Sequence, residues 1–274
     1  MASLNTSQRL TSAAILISGL ALFLWWGKIP CQALLLVAGI LLHDEIYTNF
    51  FRHKRDSIFY LFSLSLYIFP YAALSLRPGL DGLWTLLILL SLCLNGFLML
   101  YIFLVPMNSP LLLNVKKQFP YIAGPFVFLS TISLASLFQH GNWRKAVIVL
   151  FVLNILVDSG GWFFGKRLGK HKLWQEVSPK KTVEGLLGGV LTSWVLTSML
   201  WYFLFDELPW ALSFFFFGLG FLSQLGDLIQ SKMKRQFDIK DSSSLIPGHG
   251  GLYDRLDAII FTSPFFAFAL RLFY

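Results

Sequence analysis

The sequence is poor in charged residues and in cysteine. Only 13% of its 274 residues are charged, whereas 56% are hydrophobic, and the mean hydropathy is +0.66. A soluble domain carries about 25% charged residues, so this chain has too little polar surface to cover a water-soluble fold. Its two cysteines, Cys31 and Cys93, lie in or beside apolar segments and do not indicate a disulfide framework or a paired-cysteine metal site. The composition predicts a single membrane domain.

The sequence also lacks a small-residue cleavage site after its first apolar stretch, which favours a retained helix over a signal peptide. A spanning helix needs about 20 mostly apolar residues. About nine segments fit that length: 10–27, 31–50, 57–76, 83–105, 119–139, 145–165, 184–205, 208–229 and 257–273. The expected fold class is therefore all-α, a polytopic integral membrane protein.

The net charge of +8 is best explained by topology. Lys and Arg accumulate in cytoplasmic loops. Most of the basic residues fall in alternate connecting segments: around Arg9, at 52–55, 116–117, 166–181 and 232–255. This asymmetry predicts a cytoplasmic N-terminus in a multi-pass inner (cytoplasmic) membrane protein, and it makes nucleic acid an unexpected partner.

The informative polar residues are concentrated in the second half of the chain. Residues 1–140 are expected to form N-terminal transmembrane helices, and residues 141–274 a C-terminal transmembrane catalytic region. Two cytoplasmic loops, 166–183 and 230–256, carry most of the unusual residue types. The active site is therefore expected to face the cytoplasm.

A stretch rich in glycine and lysine runs from Asp158 to Gly189. Glycines let backbone N–H groups approach an anion, and lysines neutralise phosphate oxygens, so the stretch suits a triphosphate. It is not a Walker P-loop, because the glycine–lysine spacing differs and no strand precedes it. The alternative is that the glycines let membrane helices pack closely. Asp158 favours a functional site, since an acid near the end of a spanning helix is costly.

Three acids mark the ends of the last two apolar segments. Asp227 lies near the cytoplasmic end of one, and Asp254 and Asp257 lie at the start of the next, so a helical hairpin would bring their carboxylates together. Oxygen ligands select Mg²⁺, which commonly uses one or two carboxylates together with substrate phosphates. The alternative is that Asp254 and Asp257 are favourable acids at a helix N-terminus and Asp227 pairs with a basic residue.

Residues 231–257 resemble the signature of the phosphatidate cytidylyltransferase (CDP-diacylglycerol synthase) family. The positions that carry the resemblance are Ser231, Met233, Lys234-Arg235, Lys240-Asp241, Ser243, Ile246-Pro247, His249-Gly250-Gly251-Leu252 and Asp254-Arg255-Leu256-Asp257. The upstream stretch is similar to that family in its Asp-Ser-Gly opening and in Ser178-Pro179-x-Lys181-Thr182-x-Glu184-Gly185. It departs at Gly161-Trp162, where Ala-Tyr is expected. Glu45 is a further position to consider.

The resemblance implies transfer of the cytidylyl group of CTP to phosphatidic acid, giving CDP-diacylglycerol and pyrophosphate for phospholipid biosynthesis. It implies Mg²⁺ bound by Asp227 and Asp254, leaves a second cation open, and implies a homodimer in the lipid bilayer. The implied catalytic residues are Asp227, Asp254, Lys234, Arg235 and Asp257. The implied substrate-binding residues are Asp158, Lys166, Lys170, Ser178, Lys181, Thr182, Ser231, Lys240, Asp241, His249, Gly250, Gly251 and Arg255. His249 either contacts phosphate or braces its loop.

Three other functions compete with this interpretation. A CTP-dependent polyprenol or phytol-type lipid kinase would also unite a membrane alcohol with a nucleotide, but it would release CDP. A CDP-alcohol phosphotransferase is disfavoured, because its Asp-Gly-x-x-Ala-Arg pattern is absent from the sequence. A secondary transporter predicts paired helix interruptions in two halves, whereas the informative residues here lie in one half.

Overall fold

The computed structural model describes residues 2–75, 77, 79–246 and 250–273. Its helices are α1 (Ala2–Trp26), α2 (Lys28–Glu45), α3 (Ile58–Ser75), α4 (Asp81–Leu104), α5 (Leu111–Gln118), α6 (Ala123–Leu137), α7 (Trp143–Leu168), α8 (Val183–Phe205), α9 (Trp210–Gln236) and α10 (Tyr253–Phe273). A π-helical turn, Ile46–Phe50, follows α2. The predicted all-α membrane fold is confirmed.

The number of membrane-spanning helices differs from the nine segments expected. Within the described residues, seven helices are long and apolar enough to cross a bilayer, or eight if α5 and α6 together count as one span. The predicted span 119–139 corresponds to α6 alone, and α5 precedes it across a bend of 107°. Pro120 lies in the break between the two helices, where proline disfavours a continuous helix. The predicted first span, 10–27, belongs to α1 (Ala2–Trp26), and Ile17–Trp26 is an apolar segment of this helix within the described residues.

Both predicted cytoplasmic loops contain regular structure. In 166–183, α7 continues to Leu168, and an antiparallel hairpin follows with β1 (Lys172–Trp174) and β2 (Ser178–Thr182). In 230–256, α9 continues through Gln236, and α10 begins at Tyr253. The connecting loop is therefore only 237–252, because the polar end of α9 remains helical instead of unwinding.

Lys232 explains why the polar end of α9 packs rather than frays. Its side chain is 1% exposed, and Nζ donates to the carbonyl oxygens of Tyr101 at 3.1 Å and Ile102 at 2.9 Å, and also to that of Val105. These carbonyls end α4, where the helix leaves acceptors without intrahelical donors and favours a cation. The contact fixes α9 against α4.

Basic side chains gather at two opposite ends of the helical bundle. At one end, Lys28 Nζ donates to Gln139 Oε1 at 2.9 Å and Arg144 Nε donates to the Leu24 carbonyl at 2.8 Å. At the other end, Lys116 Nζ donates to the Phe51 carbonyl at 3.2 Å and Arg52 Nη2 to that of Phe237 at 3.3 Å. The second end also carries the hairpin and the 237–252 loop.

Candidate functional site

A polar cavity of about 630 Å³ lies among α7, α8, α9, the start of α10 and the β-hairpin. Most of the predicted site residues line it: Asp158, Lys166, Lys181, Thr182, Asp227, Lys234, Asp241, Asp254, Arg255 and Asp257. Residues from both polar stretches of the sequence thus meet in one place. The helical hairpin expected to bring Asp227 near Asp254 and Asp257 is present.

Close contact between α7 and α8 forms one wall of the cavity. A Cβ added to Gly189 would lie 2.5 Å from the Val157 carbonyl oxygen, and one added to Gly160 would lie 2.9 Å from the Thr192 side chain. The two helices therefore touch through their backbones, which supports the packing interpretation of these glycines. Two other glycines of the same stretch, Gly161 and Gly165, line the cavity itself, so the stretch serves both purposes.

The hairpin delivers lysines to the cavity and is fixed to the start of α8. Thr182 ends β2 and caps α8, since its Oγ1 accepts a hydrogen bond from Gly185 N at 3.1 Å. Glu184 Oε1 lies 2.6 Å from His171 Nδ1, and Oε2 accepts from Lys170 N at 3.1 Å. Lys181, one residue before the cap, is thereby directed into the cavity. Thr182 thus has a structural role besides the predicted substrate contact.

Three carboxylates from three different helices face one another in the cavity. Asp158 on α7, Asp227 on α9 and Asp257 on α10 are close enough to repel one another electrostatically. Lys181 Nζ lies 2.6 Å from Asp227 Oδ2 and donates to Gln224 Oε1 at 2.8 Å. The cavity lining therefore brings five aspartates together with five lysine and arginine side chains, and Lys181 pairs directly with Asp227.

Asp254 is held more tightly than the other acids. Its Oδ1 accepts from Lys234 Nζ at 2.7 Å and Gln230 Nε2 at 3.2 Å, and its Oδ2 accepts from Ser242 N at 2.8 Å and Gly251 N at 3.0 Å. The side chains of Lys234 and Asp254 are 13% and 8% exposed. A carboxylate offers about four lone-pair positions, so the acceptor sites of Asp254 are filled.

Other predicted site residues do not line this cavity within the described part of the chain. Lys170, Arg235 and Lys240 are exposed, and Ser178 is half-buried at the start of β2. Ser231 donates to Asp227 Oδ1 at 3.1 Å. Gly250 and Gly251 lie in the loop before α10, and His249 falls outside the described residues. Ser231 and Gly251 therefore act on the cavity through Asp227 and Asp254.

Sequence reasoning missed several residues of the site. Gln224, Lys180 and Trp162 line the cavity, and the Lys166 ammonium lies 5.1 Å from the centre of the Trp162 ring. Gln224 had a readable signal, because it is polar within an apolar helix and lies three residues before Asp227, on the same helix face. The only sequence signal for Lys180 was its position beside Lys181.

A second polar layer lies one helical turn deeper in the membrane region. Ser223 Oγ donates to Asn154 Oδ1 at 2.8 Å, and Asn154 Nδ2 donates to Thr262 Oγ1 at 3.2 Å. Asn154 and Ser223 each precede a cavity acid by four residues, and residues four apart share a helix face. This layer therefore joins α7, α9 and α10 directly beneath the acids that they carry.

Comparison with known proteins gives one consistent relationship. A model of the cytidylyltransferase family matches residues 7–273. The phosphatidate cytidylyltransferase of Bacillus subtilis (strain 168) is 38% identical over 170 residues, which cover 58% of this chain and 62% of that protein. That of Staphylococcus aureus (strain COL) is 36% identical over 155 residues, covering 54% and 60%. The similarity thus spans about 60% of the length of these relatives.

Proposed function

Since the chain belongs to the cytidylyltransferase family, we propose that it transfers the cytidylyl group of CTP to phosphatidic acid, giving CDP-diacylglycerol and pyrophosphate for phospholipid biosynthesis. The observation that carries this proposal is the single cavity in which acids from α7, α9 and α10 meet lysines from β2 and α9. A nucleoside triphosphate with its counter-ion presents the complementary charges. The choice of phosphatidate as the lipid acceptor rests on the relatives named phosphatidate cytidylyltransferase.

The proposed reaction is a substitution at the α-phosphorus of CTP. A phosphate oxygen of phosphatidate forms the new P–O bond, the bond between the α-phosphorus and the bridging oxygen breaks, and pyrophosphate leaves with that bonding pair. Alignment and charge neutralisation supply most of the catalysis in such transfers. The attacking phosphomonoester is already anionic near neutral pH, with a second pKa of about 6 for similar phosphates, so a strong general base is unnecessary.

Lys181 and Lys234 are the proposed phosphate ligands. Each is held in the cavity by an acid, Lys181 by Asp227 at 2.6 Å and Lys234 by Asp254 at 2.7 Å. Ammonium groups held this way are positioned to turn from carboxylate to phosphate oxygens, since both are strong acceptors. Lys166 and Arg255 also line the cavity and contribute positive charge. Lys170, Arg235 and Lys240 are proposed to meet phosphates at its rim.

The acids fit a hard cation such as Mg²⁺. Among the described residues, no three His, Cys, Asp or Glu side chains form a complete metal site, and Mg²⁺ normally takes one or two carboxylates and completes its shell with substrate phosphates. Asp227 and Asp254 are the proposed ligands, with Asp158 and Asp257 in support. Lys181 and Lys234 occupy oxygens of these two acids, so each acid would bind the ion after its lysine has turned to phosphate. When bound, the ion would neutralise phosphate charge and leave Lys181 and Lys234 to hold the phosphate oxygens.

The proposed site faces the cytoplasm and draws phosphatidate from the inner leaflet. In support, Arg52, Lys116, Lys181 and Lys234 lie at one end of the bundle, whereas Lys28 and Arg144 contact residues at the other. Lys and Arg mark the cytoplasmic side. A homodimer in the inner membrane remains part of the proposal by family resemblance.

The decisive test is pyrophosphate release by the purified full chain with phosphatidate, CTP and Mg²⁺. We expect pyrophosphate and CDP-diacylglycerol in equal amounts, with CTP preferred over other nucleotides. A lipid kinase would instead yield CDP and a newly phosphorylated lipid from a polyprenol or phytol acceptor. If the protein is folded, as shown by its thermal unfolding transition, and still releases no pyrophosphate, the proposed reaction is refuted.

Asparagine variants test the metal assignment separately. Asp227→Asn and Asp254→Asn should each lower turnover by about 100-fold or more and alter the Mg²⁺ dependence. Asp56→Asn, at an exposed acid outside the helices, is the matched control. Near wild-type turnover with unchanged Mg²⁺ dependence in both cavity variants would contradict the assignment while leaving the enzyme class intact.

A further inference from the structure

Glu45, the last residue of α2, is a carboxylate buried against the loop that precedes α10. Its side chain is only 3% exposed. Oε1 accepts hydrogen bonds from Ser243 Oγ at 2.7 Å and Leu252 N at 2.7 Å, and Oε2 accepts from Ser242 Oγ at 2.9 Å and Tyr253 N at 2.9 Å. Each oxygen thus accepts one hydroxyl and one backbone N–H.

The position of these donors makes Glu45 a long-range cap of α10. Leu252 N and Tyr253 N lie at the helix N-terminus, where amides lack intrahelical acceptors and a negative charge is favourable. Residues near a helix start commonly supply this acceptor themselves, whereas Glu45 and Tyr253 are 208 residues apart. The charge of Glu45 is stabilised by four neutral donors converging on it.

The loop closes tightly over the Glu45 carboxylate. A Cβ added to Gly251 would lie 2.0 Å from Ser242 Oγ and 2.7 Å from both carboxylate oxygens. Only glycine leaves room for this contact. The glycine in the sequence signature is therefore explained by the buried acid of α2, which lies in the other half of the chain.

The same loop residues connect Glu45 to the polar cavity. The Ser242 hydroxyl lies within hydrogen-bond distance of both Glu45 Oε2, at 2.9 Å, and Asp254 Oδ2, at 3.1 Å. The same Asp254 oxygen accepts from Ser242 N at 2.8 Å and from Gly251 N at 3.0 Å. Asp241, which precedes Ser242, lines the cavity. Displacing the Glu45 carboxylate would therefore release both the loop and the start of the helix that carries Asp254 and Asp257.

We infer that Glu45 is a positioning residue for the transfer reaction: it fixes residues 241–243 and 251–253 so that Asp241, Asp254 and Asp257 face the substrates. Glu45 does not need to touch the substrates for this role, because it acts through Ser242 and the α10 N-terminus. The inference rests on the proposed function. It gives the N-terminal helices a specific role in the reaction. Their hydrophobicity and their packing alone would not require such a role.

Glu45→Gln tests the inference with almost no change in volume. Whichever way the amide is turned, its NH₂ group must face the N–H of Leu252 or Tyr253, and two donors cannot bond to each other. We expect kcat to fall by about ten- to a hundredfold, the size associated with losing a charged acceptor. The Mg²⁺ concentration for half-maximal rate should rise, because Asp254 is displaced. Asp44→Asn is the matched control, since it removes a charge from the preceding residue, which pairs with Arg55 at 2.6 Å.

Hydrogen exchange supplies a readout that does not depend on turnover. Amides of the 239–253 segment should exchange faster in Glu45→Gln than in the wild type or in Asp44→Asn. If Glu45→Gln shows faster exchange but wild-type kcat, the inference is overturned. It is also overturned if kcat falls while the Mg²⁺ dependence stays unchanged. If the wild type releases no pyrophosphate, the proposed function fails, whereas the cap can still be measured by exchange.

Ser243→Ala keeps the test decisive if Glu45→Gln does not fold. It removes one donor to Glu45 Oε1 at 2.7 Å, together with the acceptor of Leu245 N at 3.1 Å, and leaves the Leu252 and Tyr253 amides bonded to Glu45. We expect kcat to fall by about two- to fivefold with faster exchange of the same segment. Wild-type kcat and wild-type exchange in this variant would overturn the inference.

Discussion

Glycines make close helix contacts in both halves of the bundle, since a Cβ added to Gly124 in α6 would lie 1.8 Å from the Ser63 carbonyl oxygen of α3. The two halves differ in the polar groups that accompany these contacts. In the C-terminal half, α7 and α8 meet backbone to backbone at Gly160 and Gly189, and polar side chains point into a cavity. In the N-terminal half, buried tyrosines join α3 to α2: Tyr67 Oη donates to the Leu35 carbonyl at 3.1 Å and Tyr71 Oη to that of Gln32 at 2.9 Å.

This difference indicates that the two halves of the bundle have different roles. Glycine contacts close the α7–α8 wall of the cavity, and the polar layer around Asn154 joins the three helices that carry Asp158, Asp227 and Asp257. The tyrosine contacts of Tyr67 and Tyr71 join α3 to backbone carbonyls of α2, and neither tyrosine lines the polar cavity. The cap of α10 by Glu45 is one of several contacts between the halves, beside those of Lys232 with α4 and of Asn95 with Phe261. If this division is correct, equivalent substitutions in the two halves should have different consequences.

The largest effect is expected for Gly189→Val. The added side chain meets the Val157 carbonyl, 2.5 Å from the position of Cβ, and a helix backbone cannot yield as a flexible side chain can. Overpacking at such a contact should cost about 3 kcal/mol or more of stability, seen as a lower Tm or no folded protein. Gly218→Val in α9 is the control, because no described atom lies within 4 Å of its added Cβ. Equal Tm values for the two variants would contradict backbone contact between α7 and α8.

The second prediction compares cations from the two halves. Lys234→Gln removes the cavity ammonium paired with Asp254, so kcat should fall by about 100-fold. Lys117→Gln, at an exposed lysine after the fourth helix, should leave kcat within about twofold. Arg235→Gln should fall between them, since Arg235 is exposed beside the cavity. Steady-state pyrophosphate release measures all three, and a larger loss for Arg235 than for Lys234 would contradict the site as described.

The third prediction compares two buried asparagines. Asn154→Leu removes the group that joins Ser223 and Thr262 beneath the cavity acids, so stability should fall by about 1–2 kcal/mol and kcat by about fivefold. Asn95→Leu, in α4, removes a 2.7 Å hydrogen bond to the Phe261 carbonyl. It should cost similar stability but leave kcat within about twofold. Equal loss of kcat in both variants would show that the polar layer has no particular link to the site.

Much of the bundle and its cavity was predictable, because the signals were local. Apolar runs of spanning length located the helices within a few residues, and the spacing of Asp227, Asp254 and Asp257 across one loop brought the acids together as expected. The bend between α5 and α6 was not predicted, because α5 ends in Lys116, Lys117 and Gln118 and was taken as part of a connecting segment before the span at 119–139. The end of α9 was taken as a loop, because its charges concealed that Lys232 packs inside.

The cap at α10 could not have been predicted from any local pattern. Glu45 lies at the end of an ordinary apolar helix, and its partners lie 197 to 208 residues away. A single acid in such a place fits equally well with a helix end near the membrane surface. Only the folded chain brings it against Gly251 and the two serines.

The smallest effect is expected for Tyr67→Phe. This change removes a buried hydroxyl that donates to the carbonyls of Leu35 at 3.1 Å and Leu36 at 3.2 Å, so thermal unfolding should show a loss of about 1 kcal/mol. Tyr202→Phe, at an exposed position of α8, should show none. The kcat of Tyr67→Phe should stay at the wild-type value, because the hydroxyl holds α3 to the middle of α2, well before Glu45. A matching fall in kcat would mean that packing along α2 reaches the cap, and the two halves would then act as one unit in the reaction.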